Sequence, residues 1–103
     1  MKLLSRQEEI VLLAVWRLKE DASGVTIRQF ITETTGKTWS IGSIYVPLDR
    51  LLSKGYLQGF YKDEANTRGG RKKRYYQLTT DGQRALEELL SLQKVLWEGF
   101  SQK

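Results

Sequence analysis

The chain has 103 residues, 40% of them hydrophobic and 28% charged, which fits one folded soluble domain rather than a disordered chain. It contains no cysteine and no histidine, so disulfides, thiolate metal sites and the commonest acid–base group at neutral pH are all excluded. The net charge is +5, from 17 Lys+Arg and 12 Asp+Glu, and it is unevenly placed. The segment Arg68-Gly69-Gly70-Arg71-Lys72-Lys73-Arg74 holds five basic residues and no acidic one; without it the two signs balance at 12 each. Concentrated charge of this kind is what an element that binds a polyanion carries, although a solvated loop has the same composition.

The longest apolar run, Ile10 to Trp16, is flanked by Arg6, Glu8, Glu9 and Arg17 and falls far short of the roughly 20 residues that cross a bilayer. No h-region with a small-residue cleavage site follows Lys2, so a cytoplasmic protein without a membrane span is expected.

In chain order, Ser5 stands three residues before Glu8, the spacing of a capping box, and Ile10, Val11, Leu12, Leu13 and Trp16 carry a first helix to about Glu20. Its apolar residues occupy more than one face, so it should be buried on several sides. Asp21-Ala22-Ser23-Gly24 reads as a turn. Val25, Ile27, Phe30 and Ile31 then recur at helical spacing and predict a second helix over Val25–Thr35, stopped by Gly36. After Lys37-Thr38-Trp39, Ser40 is a good N-cap for a third helix marked by Ile41, Ile44, Tyr45, Leu48, Leu51 and Leu52 and closed at Gly55. Pro47 falls inside it, where it removes a backbone hydrogen bond and should bend the first two turns. Tyr56–Lys62 and Arg74–Leu78 read as strands joined by the polar loop Asp63–Lys73. Thr79 opens a last helix whose apolar stripe, Leu86, Leu89, Leu90, Leu96, Trp97 and Phe100, is expected to run to the C-terminus.

The fold class is therefore mostly α with a small β-hairpin, an α+β winged helix-turn-helix in the order α-α-α-β-β-α, with the winged-helix part over residues 1–80 and a C-terminal helix over 81–103 in the same compact unit. In that arrangement the third helix enters the major groove of double-stranded DNA and the hairpin lies over the backbone. Ser40 and Ser43 supply hydroxyls at the N-terminus of the third helix, where free N–H groups also favour a phosphate; Tyr45 adds a phenol, and Arg50 and Lys54 add charge. Ser40 as a cap and Tyr45 as core are the simpler roles. In the wing, Arg68, Arg71 and Arg74 can fork onto phosphate oxygens or enter a minor groove, and Lys72 and Lys73 act as point charges.

Ser40-x-Gly42-Ser43-Ile44-Tyr45 with Pro47 soon after, then Leu51 and Leu52 before Lys54-Gly55-Tyr56-Leu57, resembles the recognition helix of the PadR-like family of transcriptional regulators. Gly69-Gly70-Arg71 through Arg74-Tyr75-Tyr76-Gln77-Leu78-Thr79-Thr80-Asp81-Gly82 resembles that family's wing, its Tyr-Tyr-x-Leu-Thr strand and the glycine just inside the last helix. The similarity covers most of Ser5 to Leu90. One departure is that Val46 stands between Tyr45 and Pro47, where the family usually places proline directly after tyrosine; this displaces any bend by one residue and leaves the base-reading residues open. The resemblance implies a repressor that binds palindromic operators as a homodimer through the last helix, and a short subfamily with a single C-terminal helix. It also implies that some members hold a small planar hydrophobic effector between subunits, for which Trp97 and Trp16 are the candidates here; ordinary interface core is their other reading.

Association has independent support, because Trp97 and Phe100 carry the stripe past what a lone winged helix needs, and large aromatics gain several kcal/mol from burial. Leu89, Leu96, Trp97 and Phe100 are the expected dimerisation residues. Two other readings stay open: an RNA-binding winged-helix module, with Tyr61 or Tyr75 stacking on bases, and a protein-interaction adaptor whose basic loop docks an acidic partner. With no His or Cys and no recognisable spacing among the remaining groups, no catalytic residue, metal ligand or cofactor is assigned.

Overall fold

The computed structural model describes residues 3–63 and 72–100. Arg68, Gly69, Gly70 and Arg71 lie outside the described residues. The element order is α1 (Arg6–Leu18), a 3-10 turn (Lys19–Asp21), α2 (Gly24–Thr35), α3 (Ile41–Ser53), β1 (Leu57–Asp63), β2 (Lys72–Leu78) and α4 (Thr80–Leu96), the winged-helix order expected.

Local capping chemistry sets most helix starts. At α1, Ser5 Oγ accepts from the Glu8 N–H and the Glu8 carboxylate accepts from the Ser5 N–H, a complete capping box. The α-helical geometry ends at Leu18, earlier than the apolar pattern suggests, because Lys19 turns to φ 55° and a tighter turn follows. At α2 the cap is Ser23, paired reciprocally with Thr26, so the helix begins at Gly24 and the segment read as a free turn is its anchored start. Gly36 closes α2 at φ 77°, where a side chain would be strained. Ser40 caps α3. The helix continues through Pro47, whose ring is buried.

The strands pair antiparallel from Leu57↔Leu78 to Asp63↔Lys72. The other edge of β2 is also occupied: the Tyr76 N–H donates to the Ala22 carbonyl at 2.8 Å, and Ser23 bridges Tyr75. Buried Ser23 thus caps α2 and ties the start of that helix to the wing.

The core centres on α1, which packs against α2, α3, β2 and α4. Val11, Leu12, Val15, Ile27, Ile31, Ile44, Leu48, Leu51, Leu57, Tyr76, Leu86 and Leu89 are buried together, which confirms that α1 is covered on several sides. Leu89 corrects one expectation: it is only 8% exposed and belongs to the core of its own chain, because the first part of α4 lies against that core. The residues beyond it are open, with Leu96 67% and Trp97 55% exposed. The stripe does not continue as helix to Phe100. α4 stops at Leu96, Gly99 turns the backbone at φ 81°, and the Phe100 ring meets Trp97 edge-on at 4.9 Å.

One charge pair, with its acid buried and its base open to solvent, joins the ends of this frame. Lys54, at the close of α3, donates to the Glu8 carboxylate at 2.8 Å. Burial opposes ionisation of Glu8, but the Lys54 ammonium and the Ser5 donors outweigh it and hold the carboxyl below the usual range. An acid with a lowered value stabilises the fold above its ordinary pKa and loses that contribution as pH falls through the lowered one. Wild-type protein should therefore lose stability on acidification below about pH 4.5. Glu8→Gln should be less stable at neutral pH by about 1–2 kcal/mol and show a shallower acid limb. Urea melts across a pH series check this, and parallel curves for the two proteins would refute it.

Candidate nucleic-acid interface

The sequence of α3 divides cleanly by burial. Ile44, Pro47, Leu48 and Leu51 face the core, and Ile41, Gly42, Tyr45, Val46, Asp49 and Arg50 are exposed. Exposed positions spaced by one, four, five, eight and nine residues lie along one side of a helix. This side is the candidate DNA-reading face.

Of the residues named for base or phosphate contact, Tyr45 and Arg50 lie on it and two serines are otherwise engaged. The Ser43 N–H donates to Ser40 Oγ at 3.1 Å and the two hydroxyl oxygens are 2.9 Å apart. Ser43 is half-buried, at the margin of the exposed face. Tyr45 leans across the start of α2, where a side chain on Gly24 would overlap its hydroxyl. Arg28 secures the connection before α3 by donating from Nε to the Trp39 carbonyl at 2.7 Å. Between α2 and α3 lies an open groove of about 460 Å³ whose walls include Val25, Ile41 and Tyr45.

The wing carries its charge on both faces, because cross-strand partners share a face and successive residues alternate. Gly59, Tyr61 and Asp63 lie on one side with Tyr76, Arg74 and Lys72; Phe60 and Lys62 lie on the other with Tyr75 and Lys73. The Arg74 guanidinium lies across Gly59, where a Cβ would be 2.8 Å from its nitrogens, and is flanked by the Tyr76 ring at 5.4 Å and the Tyr61 ring at 6.0 Å. Cation–π contact on both sides holds it in place. Burial pushes the Tyr76 phenol up; the Arg74 cation opposes this, and Tyr45, Asp49 and Tyr61 reinforce it. Tyr76, on the same face as Arg74, is buried in one core with Ile44, Leu48 and Leu51 of α3, so this face of the ribbon is turned toward α3. On the opposite face Phe60 stacks with Tyr75 at 6.0 Å, and Lys62 lies 4.1 Å over Tyr75 while donating to the Glu20 carbonyl at 2.7 Å. Lys62 thus fastens the wing to the turn after α1, and Lys73 shares its face.

The two candidate effector tryptophans are not joined by any aromatic contact among the described residues. Trp16 is covered by the Lys19 ammonium at 4.2 Å. Trp97 donates from Nε1 to Gln93 at 2.8 Å and keeps its outer face open.

Ile41, Val46 and Asp49 on the exposed side of α3, and Tyr61 and Gly59 beside Arg74, were not evident from residue type. The first three were recoverable as the complement of the buried stripe on α3; the last two require the hairpin register. Among the described residues no group of three His, Cys, Asp or Glu could hold a metal ion, and no helix is long and apolar enough to cross a membrane.

Comparison with known proteins bears on this geometry. The profile of the transcriptional regulator PadR-like family matches residues 12–88. Among solved structures the chain is similar to a PadR-like transcription factor from Bacteroides fragilis, at 28% identity over 88% of this chain and 82% of that one, with a TM-score of 0.73. It is also similar to a PadR family transcriptional regulator from Eggerthella lenta, at 26% identity over 91% and 80% of the two chains and a TM-score of 0.70. A PadR-like transcriptional regulator from Bacillus cereus shares the fold, at 24% identity over 89% and 91% and a TM-score of 0.66. No curated protein matches. With three-quarters of its length matched and a basic wing beside the exposed side of α3, the chain belongs to the PadR-like family of transcriptional regulators: it is a DNA-binding winged-helix regulator and not an enzyme.

Proposed function

We propose that the chain is a cytoplasmic repressor that binds a palindromic operator as a homodimer, with α3 in the major groove and the wing on the flanking backbone. The observation that carries the DNA half of this reading is the placement of Arg74, held over Gly59 by two tyrosines, on the same side as the exposed face of α3. Arg68, Arg71, Lys72 and Lys73 extend the positive charge for phosphate contact, and Tyr45 and Arg50 meet the groove. Ser40, committed to the cap, offers the dipole end of α3 to a phosphate. The dimer half rests on Leu96, Trp97 and Phe100, which stay exposed after the core has taken up Leu86 and Leu89; their burial against a second copy is worth several kcal/mol. A two-fold dimer presents two α3 helices, so half-sites should lie about one helical turn apart. In such a dimer the open face of Trp97 is the natural place for a flat apolar effector.

The test is a shift assay with duplex from immediately upstream of the coding region, alone and with flat aromatic dyes. Two chains should bind per duplex, at least about a thousandfold more tightly than random DNA, and deletion of one half-site should abolish most of that margin. One chain per duplex would sink the dimer reading, and preference for single-stranded RNA would favour the RNA-binding alternative. Indifference to every dye would leave Trp97 as plain interface.

A further inference from the structure

The exposed side of α3 is unusually poor in hydrogen-bonding side chains. Ile41 is 62% and Val46 49% exposed, and Gly42 between them has no side chain. Ser40 and Ser43, the hydroxyls nearest this end, bond to each other, and the Tyr45 hydroxyl is turned over Gly24. Asp49 and Arg50 come only two turns later. Yet it is the N-terminal part of a recognition helix that meets base edges. Val25, 62% exposed at the start of α2, lines the same groove as Ile41 and Tyr45 and makes the apolar strip continuous.

Scattered exposed aliphatics need no explanation, but these converge on one side of one helix and adjoin a basic hairpin. The positive charge of Lys72 and Arg74, on the ribbon face turned to α3, selects a polyanion as what covers this side. In the major groove of a duplex the only group that such side chains can recognise is the C5 methyl of thymine, since every other readable feature is a donor or acceptor. Isoleucine and valine suit this contact because β-branching restricts χ1, so little rotamer freedom is lost on docking.

We propose that Ile41 and Val46 are specificity residues that read thymine methyl groups, with Val25 widening the apolar strip, so that each operator half-site carries thymines opposite the first two turns of α3. This rests on the reading of α3 as the base-contacting helix. It assigns sequence preference to aliphatic contact and leaves the wing to provide affinity without sequence.

The experiment first selects tight duplexes from a random-sequence pool using the wild-type protein, then replaces each half-site thymine in turn by deoxyuridine, which deletes only the methyl. Binding should weaken about three- to fivefold for each contacted methyl, as expected for one apolar carbon withdrawn from water, and pairs of symmetric replacements should multiply. In Ile41→Ala and Val46→Ala variants, checked for unchanged melting temperature and sedimentation, the thymine-to-deoxyuridine penalty at one position should fall to a factor near one, whatever the change in overall affinity. Equal affinity for thymine and deoxyuridine at every position, or selected half-sites without thymine, would overturn the proposal and leave the DNA reading intact. Failure to bind any duplex at low salt would overturn both. Conversion of the Val46→Ala variant to a lower oligomeric state would assign the strip to protein contact and overturn the proposal as well.

Discussion

Replacing Gly82 by Ala should destabilise the protein by about 2–3 kcal/mol, the upper part of the range for forcing an extra methyl into a packed site, and lower its melting temperature by roughly 10–20 °C. Gly82 lies in the first turn of α4 and is buried. A Cβ there would overlap the Tyr56 carbonyl oxygen, lie 3.0 Å from its carbon and 3.1 Å from Leu78 Cδ2. The Tyr56 carbonyl cannot withdraw, since it accepts the Thr79 N–H at 3.1 Å, and Thr79 Oγ1 donates to the Gly55 carbonyl as well. Three elements meet at this point: the close of α3, the end of β2 and the start of α4. Alanine is favoured over glycine in a helix by about 1 kcal/mol, which offsets part of the clash. The matched control is Gly42→Ala in α3, where a Cβ meets nothing within 4 Å; it should be neutral or slightly stabilising. Thermal melts of the two variants check this, and a Gly82→Ala protein melting within about 2 °C of wild type would refute it.

The wing should dominate the salt dependence of DNA binding. Each phosphate neutralised contributes about 0.9 to the slope of log affinity against log salt. If Lys72 and Lys73 each meet one phosphate, removing both from the two wings of a dimer deletes up to about four contacts. The slope should flatten by roughly 3–4 units, with affinity near physiological salt falling around a thousandfold. Specific and random duplexes should lose affinity alike, because phosphates carry no sequence. Folding should be little affected, as Lys72 is exposed and Lys73 only half-buried at the strand end. An Arg74→Ala variant adds a contrast: its guanidinium is already held between Tyr61 and Tyr76, so its contact is formed at little entropic cost and its loss should weigh more per residue. Salt titrations on both duplexes decide the matter; a slope unchanged within about half a unit would reduce the basic ribbon to solvated surface.

Whatever depended on neighbours three or four residues away was legible in the sequence. The capping box of Ser5 and Glu8, the Ser40 cap and the glycine stops at Gly36 and Gly55 all follow from local hydrogen bonding and backbone preference, and the structure bears them out. The basic run was legible too, because charge excess needs no fold to be counted. Only tertiary structure decided that Leu89 turns inward while Leu96 stays open, since both satisfy the same helical stripe and the difference is where α4 leaves the core. It also decided that buried Ser23 ties α2 to β2, that Gly82 is demanded by a carbonyl 26 residues upstream in the chain, and that Arg74 lies over Gly59 between two tyrosines. Each of these is a contact between residues far apart in the chain, set by strand register and helix docking, and no local period encodes it. The exposed face of α3 stands between the two cases: the helix is local, but which of its sides is left to water depends on what the other elements bury.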